Sequence, residues 1–172
     1  MGLAGEAYSY ALAALAMTFA GFAAIVIVLR QTLGRPMSPF HLLITRLIIE
    51  SGFWAAAFSM LAPLLALCGV PDRAAWRIAS AAIAAVLIAY GATYRARRRK
   101  VLSDALPTRR WTAIAGLSLA VIAALICNVL GVPYPPNPGP IAVAASWTLA
   151  CGAIVFVLAL ASFWEPDGGA RD

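Results

Sequence analysis

The segment Phe40–Leu67 reads FHLLITRLIIESGFWAAAFSMLAPLLAL and has only two charged residues, Arg46 and Glu50, in 28 positions. A helix rises about 1.5 Å per residue, so about 20 residues cross a hydrocarbon core of about 30 Å. An isolated β-strand cannot take its place, because lipid offers no hydrogen-bond partner for the backbone N–H groups of a strand. The segment therefore predicts a transmembrane helix with residues to spare.

The remainder of the chain has the same apolar character. Four further runs are long enough to span a bilayer: Tyr8–Leu29, Ala74–Tyr94, Trp111–Gly131 and Ile141–Trp164. The 172 residues are 63% hydrophobic and 12% charged, whereas soluble domains are about 45–50% apolar and about 25% charged. This composition excludes an aqueous globular domain, a disordered tail and a disulfide scaffold. It predicts an all-α integral membrane protein, a single five-helix transmembrane bundle over residues 1–172.

The basic residues predict how this bundle is oriented. The segments Arg30–Phe40 and Arg95–Arg110 carry two and seven basic residues, whereas Cys68–Arg77 carries two and the proline-rich segment 132–140 carries none. Cytoplasmic loops of membrane proteins are enriched in Lys and Arg, and Tyr and Trp near helix ends, such as Tyr90, favour the interfaces. We therefore expect a multi-pass protein, in a bacterial inner membrane, with its N-terminus outside and its C-terminus cytoplasmic.

Arg46 and Glu50 are the most informative positions. They are four residues apart and share one helix face with Phe53, Ala57 and Met60. They lie about 9 and 15 Å from the start of the segment, and an ionisable residue inside a span is a functional candidate. In one interpretation, Glu50 faces a polar cavity or subunit interface and titrates or binds a cation or cationic ligand. In the other, the two residues form a structural ion pair.

His41 is a third candidate for an ion or ligand path. It lies near the inner interface on roughly the opposite helix face from Arg46, and an unperturbed imidazole titrates near pH 6.5. The simpler interpretation is an amphipathic interfacial residue. His41 is the one histidine in the chain, and the three cysteines show no CxxC spacing. We therefore predict no metal site and no cofactor, and the absence of nucleotide-binding and hydrolase motifs argues against an enzyme.

The fourth apolar run contains small residues at a spacing of four. Thr112 and Asn128 end a lane through Gly116, Ala120 and Ala124, and such lanes let transmembrane helices approach closely. We therefore predict a helix-packing interface at Gly116, Ala120, Ala124 and Asn128. Packing within the chain is the simpler interpretation, and contact between chains is the alternative.

The basic segment between the third and fourth runs predicts contact with anionic lipid headgroups, at about 1 kcal/mol per nearby basic residue. The alternative is that these charges only determine topology. Nucleic-acid binding is not expected, because the segment is short, lacks interleaved aromatics and adjoins the bilayer. The predicted lipid-contacting residues are Arg95, Arg97, Arg98, Arg99, Lys100, Arg109 and Arg110.

The chain is small for a complete transporter, and five helices do not divide into two inverted halves. We therefore expect a homo-oligomer or a membrane-protein partner. The expected function is an oligomeric channel or small carrier in which Arg46 and Glu50 line or gate the path. The alternative is a non-catalytic accessory or assembly subunit of a larger membrane complex, which binds partner helices and anionic lipid.

The predicted orientation is testable by cysteine accessibility. In a variant without native cysteines, Ser103→Cys is expected to react with an impermeant thiol reagent from the cytoplasmic side. Tyr134→Cys is expected to react from the opposite side, because the two segments flank one spanning helix. Labelling is measured in intact and in permeabilised cells. Reaction of both positions from the same side would show that the predicted topology is wrong.

Overall fold

The computed structural model describes residues 3, 5–32, 39–101 and 109–164, and these residues form five helices and no strand. The helices are α1 Glu6–Thr32, α2 Pro39–Leu67, α3 Asp72–Val101, α4 Arg109–Leu130 and α5 Gly139–Trp164. Each contains a stretch long and apolar enough to cross a membrane. The predicted all-α, five-helix membrane fold is confirmed. The tail 165–172 and the segments 33–38 and 102–108 lie outside the described residues, and the orientation of the termini stays a prediction.

Helix boundaries follow from residues that start or stop helices. The second helix begins at Pro39, where the missing N–H of proline costs nothing. Gly69 and Gly131 follow the ends of α2 and α4 with φ of 84° and 73°, a left-handed conformation that glycine adopts readily. The next N–H after each glycine bonds a carbonyl five residues back, at 3.1 Å in both cases. Both helices are thereby stopped sharply and the chain is redirected.

One boundary differs clearly from the sequence prediction. The third helix continues to Val101, whereas the apolar run ends at Tyr94. Arginine and lysine are good helix formers, so the basic residues from Arg95 to Lys100 end the hydrocarbon-compatible stretch without ending the helix. The basic segment therefore extends α3 beyond the apolar run that ends at Tyr94.

Side-chain hydrogen bonds between helices fix the helix directions. These bonds join Tyr90 to Glu50, Asn128 to Ser80, and Tyr8 to Ser146. The starts of α1, α3 and α5 therefore lie at one end of the bundle with the ends of α2 and α4. The starts of α2 and α4 lie at the opposite end, with the ends of α1, α3 and α5. The described helical parts of both basic segments consequently lie at this same end.

The centre of the bundle is the contact of α2 with α1 and α5. A Cβ atom on Gly52 would lie 2.7 Å from Ala20 Cβ and 3.0 Å from the Ala16 carbonyl oxygen. A Cβ on Gly152 would overlap the Ser51 hydroxyl and lie 2.9 Å from Ser51 Cβ. Small residues permit this approach, which is the main source of attraction between helices in lipid. At this level the three helices leave no room for one further carbon atom.

Larger side chains fill the space between the helices elsewhere in the bundle. A cluster of buried residues draws on all five helices and includes Leu12, Phe58, Ile83, Leu125 and Ile141. Ile83 and Leu125 are fully buried. The bundle therefore combines the close backbone contacts of α2 with a core of larger buried side chains.

Substitution of Gly52 tests the close contact. Gly52→Ala is expected to lower the free energy of unfolding by about 1–3 kcal/mol, because the new methyl group meets Ala20 and backbone. Gly21→Ala is the matched control, since a Cβ there meets no atom within 4 Å. Thermal unfolding in detergent measures both. An equal effect of the two substitutions would contradict the close approach, and Ala20→Gly added to Gly52→Ala is expected to restore part of the loss.

Candidate functional site

The charged pair of α2 forms as its four-residue spacing predicts. Arg46 Nε donates a hydrogen bond to Glu50 Oε1, and the two groups form an ion pair. The Arg46 side chain is 61% exposed and the Glu50 side chain 23%. The carboxylate is thus partly covered by the bundle, whereas the guanidinium lies mainly at its surface.

A third member of the site comes from α3. The Tyr90 hydroxyl donates to Glu50 Oε2 at 3.1 Å, so the carboxylate accepts hydrogen bonds from two helices. Hydrogen bonds to an ionised group are stronger than neutral ones. The position of Tyr90 at the end of an apolar run predicts an interfacial aromatic and does not predict this contact. The one available signal was a hydroxyl-bearing aromatic at the end of an apolar run, at the same bundle end as Glu50.

The pair lies on the outward face of α2. Phe53 is 53% exposed and Ala57 is also exposed, in register with Arg46. Met60 is only half-exposed, because this row of residues turns gradually towards α1. The exposed part of the site therefore opens sideways, towards the surroundings of the bundle.

The depth of the site follows from the length of α2. Its 29 residues extend about 43 Å, against a hydrocarbon core of about 30 Å. Arg46 is the eighth residue, about 10 Å from the start, and Glu50 lies about 6 Å deeper. Arg46 therefore lies near the border between headgroups and hydrocarbon, where a long cationic side chain reaches polar groups.

The other predicted charged positions are described only in part. Arg95–Lys100 continue α3, Arg109 and Arg110 begin α4, and His41 lies in the first turn of α2. The side chains of all these residues lie outside the described part of the structure. All of them lie at the same end of the bundle as Arg46. Their contact with anionic lipid and the role of His41 stay predictions.

The small-residue lane of α4 does not pack within the chain along its whole length. Gly116 and Ala120 are exposed, and a Cβ on Gly116 would meet nothing within 4 Å. Ala124 is half-buried, and Asn128 is buried. A spacing of four advances about 40° around the helix at each step, so the lane turns from the outside towards the core. Gly116 and Ala120 therefore lie on the outer surface of the described bundle, and a helix-packing interface at these two residues stays a prediction.

Asn128 joins three elements at the opposite end from Arg46. Its Nδ2 donates to Ser80 Oγ at 2.8 Å and to the Asn137 carbonyl at 3.0 Å. Its Oδ1 accepts the Asn137 N–H at 3.0 Å, and Asn137 Oδ1 accepts the Gly139 N–H at the start of α5. This side chain is 3% exposed. Asn128 therefore connects α4 to α3 and to the segment that leads into α5.

The cysteines and acidic groups do not assemble a metal centre in the residues that the structure describes. Cys68, Cys127 and Cys151 are free thiols, and the first two are exposed. Within the described ranges, no three His, Cys, Asp or Glu side chains are grouped so that they could hold a metal ion.

The charged groups of the Arg46–Glu50–Tyr90 site can bind an ionic ligand in addition to, or in place of, each other. Arg46 bonds Glu50 through Nε, and its two Nη groups make no hydrogen bond with the described residues. An anion can therefore bind Arg46 while Glu50 remains in place, and a cation can compete with Arg46 for Glu50. This combination, at an exposed position inside a span, makes the site the best candidate for ligand binding.

Comparison of the chain with protein-family models, with curated proteins and with solved structures finds no match.

Removal of the Asn128 side chain tests whether this residue holds the helices together. Asn128→Ala is expected to lower the free energy of unfolding by about 1–3 kcal/mol, because it leaves buried partners unsatisfied. Thr18→Val is the control, since the Thr18 hydroxyl is exposed and bonds only the Ala14 carbonyl of its own helix. Denaturation in mixed micelles measures both variants. Equal stability of the two would contradict a structural role for Asn128.

Proposed function

We propose that the protein is a small oligomeric carrier or channel of a bacterial inner membrane, with its ligand- or ion-binding site at Arg46, Glu50 and Tyr90. One observation supports this most directly. Glu50 lies inside an apolar span and accepts hydrogen bonds from Arg46 and Tyr90, while Arg46 is 61% exposed. Ionisable groups in such positions are typical of substrate and ion pathways.

The energetics argue against a purely structural pair. Placing a charged residue at the centre of a spanning helix costs about 2.5–3.5 kcal/mol on insertion scales, and less towards its ends. An exposed ion pair at this spacing returns only about 0.3–0.5 kcal/mol. The contacts of Gly52 and Gly152 already hold α2 against α1 and α5. The bond from Tyr90 gives Glu50 a structural role as well, but stability alone gives little reason for the exposed Arg46 beside it.

An oligomer would supply the second wall that a path past Glu50 needs. The interior between α1, α2 and α5 is filled at the level of Gly52, and the site opens on the outer face of α2. A path past Glu50 therefore needs a second wall, which a further copy of the chain would supply. Closed symmetric association is the common way for small chains to build such a wall.

Flux through proteoliposomes tests the proposal. Purified protein is expected to give selective ion or solute flux, and Glu50→Gln with Arg46 intact is expected to reduce it by about tenfold or more, because the charge is lost. Glu6→Gln is the matched control. Glu6 also accepts a hydrogen bond from a tyrosine hydroxyl, that of Tyr10, but lies at the other end of the bundle. Its substitution is expected to leave flux unchanged.

Two results would contradict the proposed transport function. One is a folded Glu50→Gln protein with wild-type flux, and the other is a wild-type protein that is silent for every ion and solute tested. Folding of each variant is checked by its unfolding temperature and by its copy number in native mass spectrometry.

The accessory-subunit function remains a second candidate because of the exposed face of α4. Gly116 and Ala120 form a flat surface that a helix of a larger complex could contact closely. Native mass spectrometry from mild detergent separates the two functions. Homo-oligomers with flux support the carrier or channel, whereas a silent chain that stays bound to a larger membrane protein supports the accessory subunit.

A further inference from the structure

We propose that the site at Arg46 binds the phosphate headgroup of an anionic lipid, with the acyl chains lying along Phe53 and Ala57. This inference rests on the proposed function, because it takes Arg46, Glu50 and Tyr90 as the binding site. It adds the chemical class of the ligand and the direction from which the ligand arrives, which is sideways from the bilayer.

The guanidinium group of Arg46 is oriented so that it can bind an oxyanion. Glu50 Oε1 accepts a hydrogen bond from Nε of Arg46, and Tyr90 holds the other carboxylate oxygen. The two Nη groups make no hydrogen bond with the described residues. Two parallel N–H donors match two phosphate oxygens. Glu50 and Tyr90 thus orient Arg46, and the outer side of the guanidinium is left for the ligand.

The depth of Arg46 matches a lipid phosphate. The 29 residues of α2 exceed the length that a hydrocarbon core needs, and Arg46 lies only about 10 Å from the start of the helix, near the border of that core. Lipid phosphates border the hydrocarbon core, and a long arginine side chain extends towards that border. A soluble anion would have to leave water to reach this position, whereas the phosphate of a lipid is already there.

The surface of α2 that follows Arg46 along the helix is apolar and suits contact with an acyl chain. Phe53 and Ala57 are exposed and lie about 10 and 16 Å further along α2. A ligand on this face therefore meets positive charge at one end and apolar side chains along the remainder. An amphiphile has this distribution, and a metal ion or free phosphate does not.

The charge at this end of the bundle favours an anionic lipid over a zwitterionic one. The segment Arg95–Arg110 has seven basic residues and one acidic residue, Asp104. Its helical parts lie at the same end as Arg46, because Tyr90 bonds Glu50. Basic clusters beside a membrane concentrate anionic lipids, while the ammonium group of a zwitterionic lipid is repelled.

Titration of phosphatidylglycerol into the full-length protein in detergent micelles tests the inference, with bound lipid counted by native mass spectrometry. Arg46→Gln/Glu50→Gln is expected to weaken binding by about fivefold or more, the effect of one nearby basic residue. Glu50→Gln alone keeps Arg46 and is expected to bind at least as tightly as the wild type. Arg73→Gln, which removes an exposed arginine at the other end of α3, is expected to have no effect.

Three outcomes would overturn the lipid site. They are wild-type affinity in the double variant, an equal loss in Arg73→Gln, and displacement of the lipid by inorganic phosphate at equal concentration. If the double variant does not fold, Arg46→Lys decides. It keeps the charge without the planar pair of donors, and wild-type affinity in that variant would likewise contradict the proposed geometry.

The same variants separate this inference from the proposed function. Arg46-dependent lipid binding by a protein without flux would overturn the carrier or channel and leave the lipid site standing. If flux depends on Glu50 but lipid affinity does not change when Arg46 is substituted, only the lipid site is overturned.

Discussion

The close approach of α2 to α1 and α5 determines where the polar residues of this protein lie. Apolar side chains are as well solvated by lipid as by other side chains, so no hydrophobic effect drives the helices together. They are held by short-range packing and hydrogen bonds. Gly52 brings α2 against Ala16 and Ala20. Glu50 precedes Gly52 by two residues, about 200° around the helix. Once Gly52 faces α1, Glu50 lies on the opposite side of α2, where a tyrosine of α3 partly covers it and Arg46 is exposed. The glycine contact and the exposed charge are thus two consequences of one helix orientation.

Side-chain hydrogen bonds join the described part of α3 to other helices, and two of them differ in kind. Near its start, Ser80 bonds Asn128 in a buried network, and further along Tyr90 bonds Glu50 at a partly exposed site. Asn128 is neutral and shielded, so only unfolding exposes it. Glu50 is charged and adjoins an exposed guanidinium, so a ligand can alter its surroundings while the bundle stays intact. A lipid bound at Arg46 would therefore act on one end of α3 and leave the other end fixed.

The sequence predicted features that depend on one helix at a time. Length and hydropathy gave the five spans, and a spacing of four gave the Arg46–Glu50 pair. Features that depend on how helices dock were missed. Tyr90 lies 40 residues from Glu50, and no pattern within α3 indicates that contact. The lane from Gly116 to Asn128 turns too far around α4 to stay on one face. Hydropathy gave the end of the apolar run at Tyr94, whereas the helix α3 itself ends at Val101.

The outward position of Arg46 also limits which ligands the site can compete for. A site inside a bundle exchanges ligands with water through a mouth, and its occupancy follows their aqueous concentration. A site on the outer face exchanges them with the bilayer, where lipid headgroups are the most concentrated oxyanions. Weak binding suffices to fill such a site, because the ligand is already confined to the same two-dimensional phase and depth. The proposed lipid site therefore needs only one guanidinium, oriented by Glu50 and Tyr90, whereas a site that takes an anion from water would need more donors.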